Sequence, residues 1–290
     1  VIQKAFILGA GMGTRLQPLT NVLPKPLVPI FHEPMVNYAL RHCQAAGIKD
    51  FAINTHHIPE AWQQAYPEAE YNGSPLHFFH EPTLLETGGG IRNIASFIGE
   101  DPILIYNGDI LTDIDIGKLI TSHDASGNIA TLALRSSGQN CNVNIEGDQV
   151  TDMRNLLGDA PGTHQFTGIY CIEPEILKLI PDEQVTSIVP AFINLIEKQK
   201  LGAVVLDEGD WFDIGNPDAY REVHEHLRSG RNDAIHPDAL IDPTAKVDRN
   251  TCVIGPGSKI AAHAKLTNTI VWPDAIVSTG AQLDGSIITD

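Results

Sequence analysis

The run Gly9-Ala10-Gly11-Met12-Gly13-Thr14-Arg15 directly follows a short apolar segment, Ala5-Phe6-Ile7-Leu8, and limits what the chain can fold into more than any other stretch. An apolar run closed by glycines reads as a buried strand ending in a turn. Three glycines at alternate positions remove side chains from that turn, so its amide hydrogens can approach phosphate oxygens closely. Arg15, and Lys25 ten residues further on, add two positive charges beside it. Arginine grips phosphate with a fork of donors, and lysine acts as a mobile point charge. Neither common phosphate loop matches. There is no Gly-Lys-Ser/Thr ending, and the third glycine comes too early for the dinucleotide fingerprint. The residues imply a nucleoside triphosphate site, with Leu8, Gly9, Gly11, Met12, Gly13, Thr14, Arg15 and Lys25 as nucleotide-binding candidates.

The chain has 290 residues, 42% of them hydrophobic, which is enough for a full core and argues against disorder. Its formal net charge of −17 repels nucleic acid and anionic membranes, so neither is an expected partner. An anionic substrate must then be met by local cations and a metal. Cys43, Cys141, Cys171 and Cys252 are scattered, with no Cys-x-x-Cys pair, which points to a reducing, cytoplasmic compartment. No apolar run reaches the roughly 20 residues needed to span a bilayer. Val1-Ile2-Gln3-Lys4 enters the first strand at once, so no signal peptide is expected. Among the histidines, His56 and His57 are adjacent, and His224 and His226 are two apart on a helix; neither pair can share a face, and no histidine metal site is expected.

Apolar runs predict strands at 4–8, 50–54, 76–80, 102–106 and 128–134. Between them the spacing predicts helices at 34–46, with Met35, Ala39, Cys43 and Ala46 on one face and Gly47 as its stop, and at 88–97, opening on Gly88-Gly89-Gly90. Further helices are expected at 186–199 and 217–228. Strands alternating with helices imply a mostly parallel sheet covered on both sides, with ligands at the carboxyl ends of its strands. The polar stretch Arg228–Asp233 reads as a boundary, giving a catalytic domain over 1–229 and a second over 230–290. In the second, Ile235, Ile241, Val247 and Val253 recur every six residues, and small residues, Ala239, Ala245, Thr251 and Gly257, follow four later. Ile260 and Leu266 continue the series after one slip, and Val277 and Leu283 resume it after a break near 268–275. Period six with small corners resembles the hexapeptide repeat of a left-handed parallel β-helix, here of about three coils. Its open coil edges and apolar faces lead us to expect a homo-oligomer.

Two aspartates stand where chemistry is expected. Ile103-Leu104-Ile105-Tyr106-Asn107-Gly108-Asp109 is an apolar strand ending in a carboxylate, and Trp211-Phe212-Asp213-Ile214-Gly215 sets another among apolar residues. With the full run Gly9–Thr20 and Pro24-Lys25-Pro26-Leu27-Val28-Pro29, these resemble the signature of the sugar-1-phosphate nucleotidylyltransferases over about residues 3–228. The resemblance implies a Rossmann-like, doubly wound α/β fold with a mixed sheet, of the nucleotidyltransferase (GT-A-like) kind, followed by the short left-handed β-helix. It makes Asp109 and Asp213 the ligands of a catalytic Mg²⁺, and Arg15, Lys25, Asp109 and Asp213 the catalytic residues. The substrates are then a nucleoside triphosphate and a sugar 1-phosphate. The sugar phosphate attacks the α-phosphorus directly, and catalysis is positioning plus charge neutralisation with no covalent intermediate.

The segment His80–Gly90 resembles the family's base-recognition loop, which makes Glu81 the candidate reader of a uracil or guanine edge, with Gly88 and Asn107 also at the nucleotide. Phe166-Thr167-Gly168-Ile169-Tyr170 resembles the strand that lines the sugar pocket, with Gly168 making room for the ring. The family's Glu-Lys-Pro, whose lysine binds the sugar phosphate, is missing; Arg154 stands nearby as its replacement. Glu86–Gly90 and Asp159-Ala160-Pro161-Gly162 look like the N-acetylmuramate-1-phosphate uridylyltransferases, whereas the C-terminal coils look like mannose-1-phosphate guanylyltransferases. Two other readings compete: an acyltransferase built on the β-helix, with His263 inside the repeats, and a non-catalytic regulatory subunit that binds a nucleotide sugar.

Overall fold

In the computed structural model every residue is described except Asp159, Ala160, Glu183, Gly230 and Asn232. Part of the Asp159–Gly162 resemblance, and Gly230 and Asn232 at the expected 229/230 junction, therefore lie outside the described residues. The chain forms two compact units, Val1–Met12 with Val36–Asp213, and Gly13–Met35 with Ile214–Asp290.

The first unit is built on a ten-stranded sheet. Lys4–Leu8 runs parallel between Asp50–Thr55 and Ile103–Asn107, and Ser74–His80 extends the parallel part beyond Asp50–Thr55. Strands paired on both sides and covered on both faces read as unbroken apolar runs, and Ala5, Phe6, Ile7, Phe51, Ala52, Ile53 and Ile103–Tyr106 are all fully buried. The strands at 4–8, 50–55 and 103–107 lie within a residue of the sequence reading.

The mostly parallel expectation needs correction. His164–Ile172 runs antiparallel to both Ile103–Asn107 and Ala130–Arg135, and Cys141–Glu146 with Gln149–Met153 forms an antiparallel hairpin turned at Gly147. A two-residue connection cannot make the long crossover that parallel neighbours need. The helix expected at 88–97 also differs. It starts at Glu86 and is broken at Ile94 into Glu86–Asn93 and Ala95–Ile98.

In the second unit, helix Pro217–Arg228 matches its expected bounds, because Asn216 accepts from the amides of Asp218 and Ala219 (3.0 Å each) and Pro217 fills the first turn. Tyr220 on this helix donates to the Pro29 carbonyl (2.7 Å) and accepts from Trp272 Nε1 (2.9 Å), tying the Pro29–Phe31 segment to the C-terminal strands. Those strands stack into three parallel three-stranded sheets, the pairing pattern of a β-helix. Ile241, Ile260 and Val277 align in one, Val247, Leu266 and Leu283 in the next, and Ile254, Val271 and Ile288 in the third. The apparent break near 268–275 holds the strand Ile270–Val271, which is buried and in register. Val271 comes five residues after Leu266 instead of six, so a strict hexad count loses it.

Candidate active site

In the first unit the glycine loop leaves the carboxyl end of the Lys4–Leu8 strand. Leu8 pairs with Asn107, so the loop and Asn107-Gly108-Asp109 start side by side. Gly108 donates its N–H to the Leu8 carbonyl (3.0 Å), and a Cβ there would lie 2.6 Å from that oxygen, so only glycine permits this approach. Beyond Asp109, the strand Ile110–Thr112 pairs antiparallel with Trp211–Asp213, and its register sets Asp213 opposite Ile110, the residue that follows Asp109. Two carboxylates about a hundred residues apart in sequence thus arrive within one register step of each other. Asp109 is half-buried and Asp213 exposed.

The sugar-pocket motif joins the same corner. Thr167 accepts from Trp211 Nε1 at its carbonyl (3.0 Å) and donates its hydroxyl to the Ala133 carbonyl (2.8 Å). Gly168 has φ +80 at a break in the register with Ala130–Arg135, and a Cβ would sit 2.7 Å from Asn107 Nδ2. The room Gly168 makes is therefore taken by Asn107. Arg154 is exposed, in the left-handed region (φ +59), with its amide donating to the Asn142 carbonyl (2.6 Å); no hydrogen bond or ion pair among the described residues links it to Asp109, Asp213 or Gly168.

Glu81 has different surroundings from those expected of a base reader. It is 1% exposed, its Oε1 accepts from Asn54 Nδ2 (2.7 Å), and its Oε2 accepts from the Leu85 amide (2.9 Å). Asn54, 3% exposed, in turn accepts at Oδ1 from the amides of Gly9 (2.7 Å) and Ala10 (3.3 Å). The sequence reading does not include Asn54. The signal for it is a lone amide near the end of the apolar strand Asp50–Thr55, whose Ile53 pairs with Ile7. Gly88 is buried against the Thr186–Ser187 backbone, where a Cβ would meet both carbonyl oxygens at 2.8 Å. Its small size serves packing. Gly11 and Met12 are exposed, and among the described residues their amides donate to nothing.

In the second unit Gly13 adopts φ +61, Thr20 donates to its carbonyl (2.9 Å), and a Cβ on it would lie 3.1 Å from the Lys25 Cβ. Lys25 is only 7% exposed, which fixes its stem. Arg15 is exposed, and its guanidinium lies 3.2 Å from where a Gly215 Cβ would stand. The glycine of the Trp-Phe-Asp-Ile-Gly run thus gives Arg15 its seat. His263, the residue on which an acyltransferase would depend, is exposed at a corner with φ +62, and its amide donates to Thr244 Oγ1 (3.0 Å). All four cysteines are free, and among the described residues no helix is long and apolar enough to cross a membrane.

Known proteins share both the sequence pattern and the fold. The chain is 28% identical over 295 residues to a mannose-1-phosphate guanylyltransferase of Mycobacterium tuberculosis, spanning 99% of this chain and 79% of the relative. It is 25% identical over 320 residues to a UTP–glucose-1-phosphate uridylyltransferase of Synechocystis, spanning 98% and 82%. Among solved structures, a UDP-glucose pyrophosphorylase complexed with UDP-glucose shares the fold, with a TM-score of 0.68 at 19% identity over 80% of this chain and 100% of that one. The nucleotidyl transferase family model matches residues 4–230, and the chain belongs to that family.

Proposed function

We propose that the protein transfers a nucleoside monophosphate from a nucleoside triphosphate to a sugar 1-phosphate, giving a nucleoside-diphosphate sugar and pyrophosphate. The observation that carries this reading is the register that puts Asp213 opposite Ile110, beside Asp109, next to the strand from which the glycine loop leaves. Two carboxylates without a cysteine or histidine make a hard-oxygen donor set, which suits an Mg²⁺ ion that keeps much of its water. Asp109 and Asp213 would hold that ion, which supplies charge neutralisation at the phosphate oxygens. Arg15 makes no ion pair among the described residues and is free to take phosphate, while buried Lys25 presents its ammonium from a fixed stem. The undonated amides of Gly11 and Met12 add neutral donors. An attacking sugar phosphate is already anionic, so no general base is required, and orientation and charge carry the rate.

The base is uracil or guanine, set against the Pro82–Thr87 segment, and the sugar is a hexose or modified hexose beside Gly168, with Arg154 as our candidate for its phosphate. Both relatives act on hexose 1-phosphates and differ in base, which supports this range. We place the enzyme in the cytoplasm, on its free thiols. We assign residues 1–229 to catalysis and 230–290 to a left-handed β-helix, on the hexad period and small corners. Leu240 and Ile276, the large apolar side chains exposed on one sheet of the stack, align on either side of Lys259 and support self-association there.

The test is pyrophosphate release with Mg²⁺ across four nucleoside triphosphates and the 1-phosphates of mannose, glucose, N-acetylglucosamine and N-acetylmuramate. Release with one base and one sugar establishes the reaction and both specificities. A folded protein that binds no nucleotide overturns it.

A further inference from the structure

The buried chain from Leu85 through Glu81 and Asn54 to Gly9 and Ala10 has a direction. Asn54 uses its carbonyl oxygen on two loop amides and its NH₂ on a carboxylate. Turning that amide over would set NH₂ against the Gly9 N–H and oxygen against the Glu81 carboxylate, two repulsive contacts at once. The Glu81 carboxylate therefore fixes which way Asn54 faces. Glu81 is itself held at three further points: its second oxygen accepts from Leu85, its amide donates to the Thr55 carbonyl (2.8 Å), and its carbonyl is bonded to His56 Nδ1 (2.7 Å). Gly90 leaves the space for the bridge, since a Cβ there would lie 3.1 Å from both Asn54 Nδ2 and Glu81 Oε1.

We propose that Asn54 is a positioning residue for nucleotidyl transfer: it holds Gly9 and Ala10 so that the next two amides, of Gly11 and Met12, stay aimed at the triphosphate, and Glu81 acts through it. This rests on reading Gly9–Arg15 as the phosphate loop. One relay joins that loop to the segment against which the base is set, so the two halves of the nucleotide are held by one buried hydrogen-bonded unit. Losing it should weaken use of the triphosphate and leave the sugar 1-phosphate largely untouched.

The relay can be reversed without being lost. In N54D the new carboxylate faces that of Glu81. In E81Q one donor, on Asn54 or Leu85, is left facing another donor. In N54D/E81Q the introduced amide donates to the introduced carboxylate and accepts from the Leu85 N–H, while that carboxylate still accepts from Gly9 and Ala10. Every bond then has a partner again, and the net charge is that of the native pair. Steady-state kinetics of the full chain, below the melting temperature of each variant, should give a KM for the nucleoside triphosphate raised about tenfold or more in N54D, the kinetic equivalent of one lost hydrogen bond to a charged group. The KM for the sugar 1-phosphate should stay within about twofold, and N54D/E81Q should return the triphosphate KM to within about threefold of the native value. A single variant with an unchanged triphosphate KM, a double variant no better than N54D, or equal rises in both KM values would overturn the proposal. Native protein that uses no triphosphate overturns the reading of the site itself, and the proposal with it.

Discussion

Two parts of the first unit lie on either side of the Lys4–Leu8 strand and treat polar side chains in opposite ways. Around Asn54 and Glu81 each side-chain oxygen and the Asn54 NH₂ has a protein partner, and both residues are shielded from water. Around Asp109 and Asp213 the carboxylates stand half-buried and exposed, and it is the backbone register that brings them together. A buried polar group without a partner is costly, so the first arrangement persists only if it is complete. A carboxylate in contact with water carries no such demand. Reach to solvent, more than polarity, thus separates what shapes the site from what meets the substrates.

The largest effect that would sharpen this contrast is on the open side. Asp109→Asn should lower kcat by roughly 10²–10³-fold, the usual consequence of removing one preorganised electrostatic group, while thermal unfolding stays close to native. A large drop in melting temperature would mean that Asp109 belongs with the scaffold, and the contrast would fail.

His224 extends the comparison to the second unit. Its Nε2 accepts from the Phe31 amide (3.0 Å), and its Nδ1 donates to the Tyr220 carbonyl (2.8 Å), which fixes a neutral ring of one tautomer. Burial drives its pKa down to about 4, helped by His32 and opposed by the bond to Tyr220. Between pH 6.5 and about 4 the unfolded chain binds a proton that the folded chain refuses. The stability this ring contributes is therefore full above pH 6.5 and is lost as pH falls toward 4, by about 3 kcal/mol. Urea unfolding at about pH 7 and about pH 4.5 should show a steeper loss in the native protein than in His224→Gln, and equal slopes would place the ring in contact with water.

Asn54→Ala should cost about 1–3 kcal/mol of stability as well as activity, because two loop amides lose their acceptor, and chemical denaturation measures it directly. A stability change below about 0.5 kcal/mol, of the order of an ordinary surface substitution, would break the comparison from the buried side.

The uneven legibility of the sequence follows the same line. Strands such as Ile103–Asn107 are apolar on both faces, and the glycine and aspartate motifs sit at their ends, so fold and open site can be read from local pattern. The hairpin Cys141–Glu146 and Gln149–Met153 escapes such a reading because its strands are short and partly exposed, although Val143 and Ile145 alternate with Asn142 and Asn144 ahead of the turn at Gly147. Glu81 stands out by its segment, but its partners depend on a parallel pairing that brings Thr55 beside His80, which no local pattern encodes. Asn54 is hidden for the same reason. The roles of Gly88 and Gly168 likewise turn on which backbone or side chain fills the missing Cβ, a tertiary fact.

The smallest expected effect concerns an exposed cation of the second unit. Gly215→Ala places a methyl group 3.2 Å from the Arg15 guanidinium, the far end of a flexible and exposed side chain. Such an end can yield by a few tenths of an ångström, unlike the Leu8 carbonyl that a Cβ on Gly108 would strike at 2.6 Å. The triphosphate KM of Gly215→Ala should therefore change by less than about threefold, within the range of an ordinary surface substitution. A tenfold rise would show that Arg15 is held as firmly as Asn54. The arginine would then belong with the buried relay, and exposure would no longer separate the groups that meet the substrates from those that hold them in place.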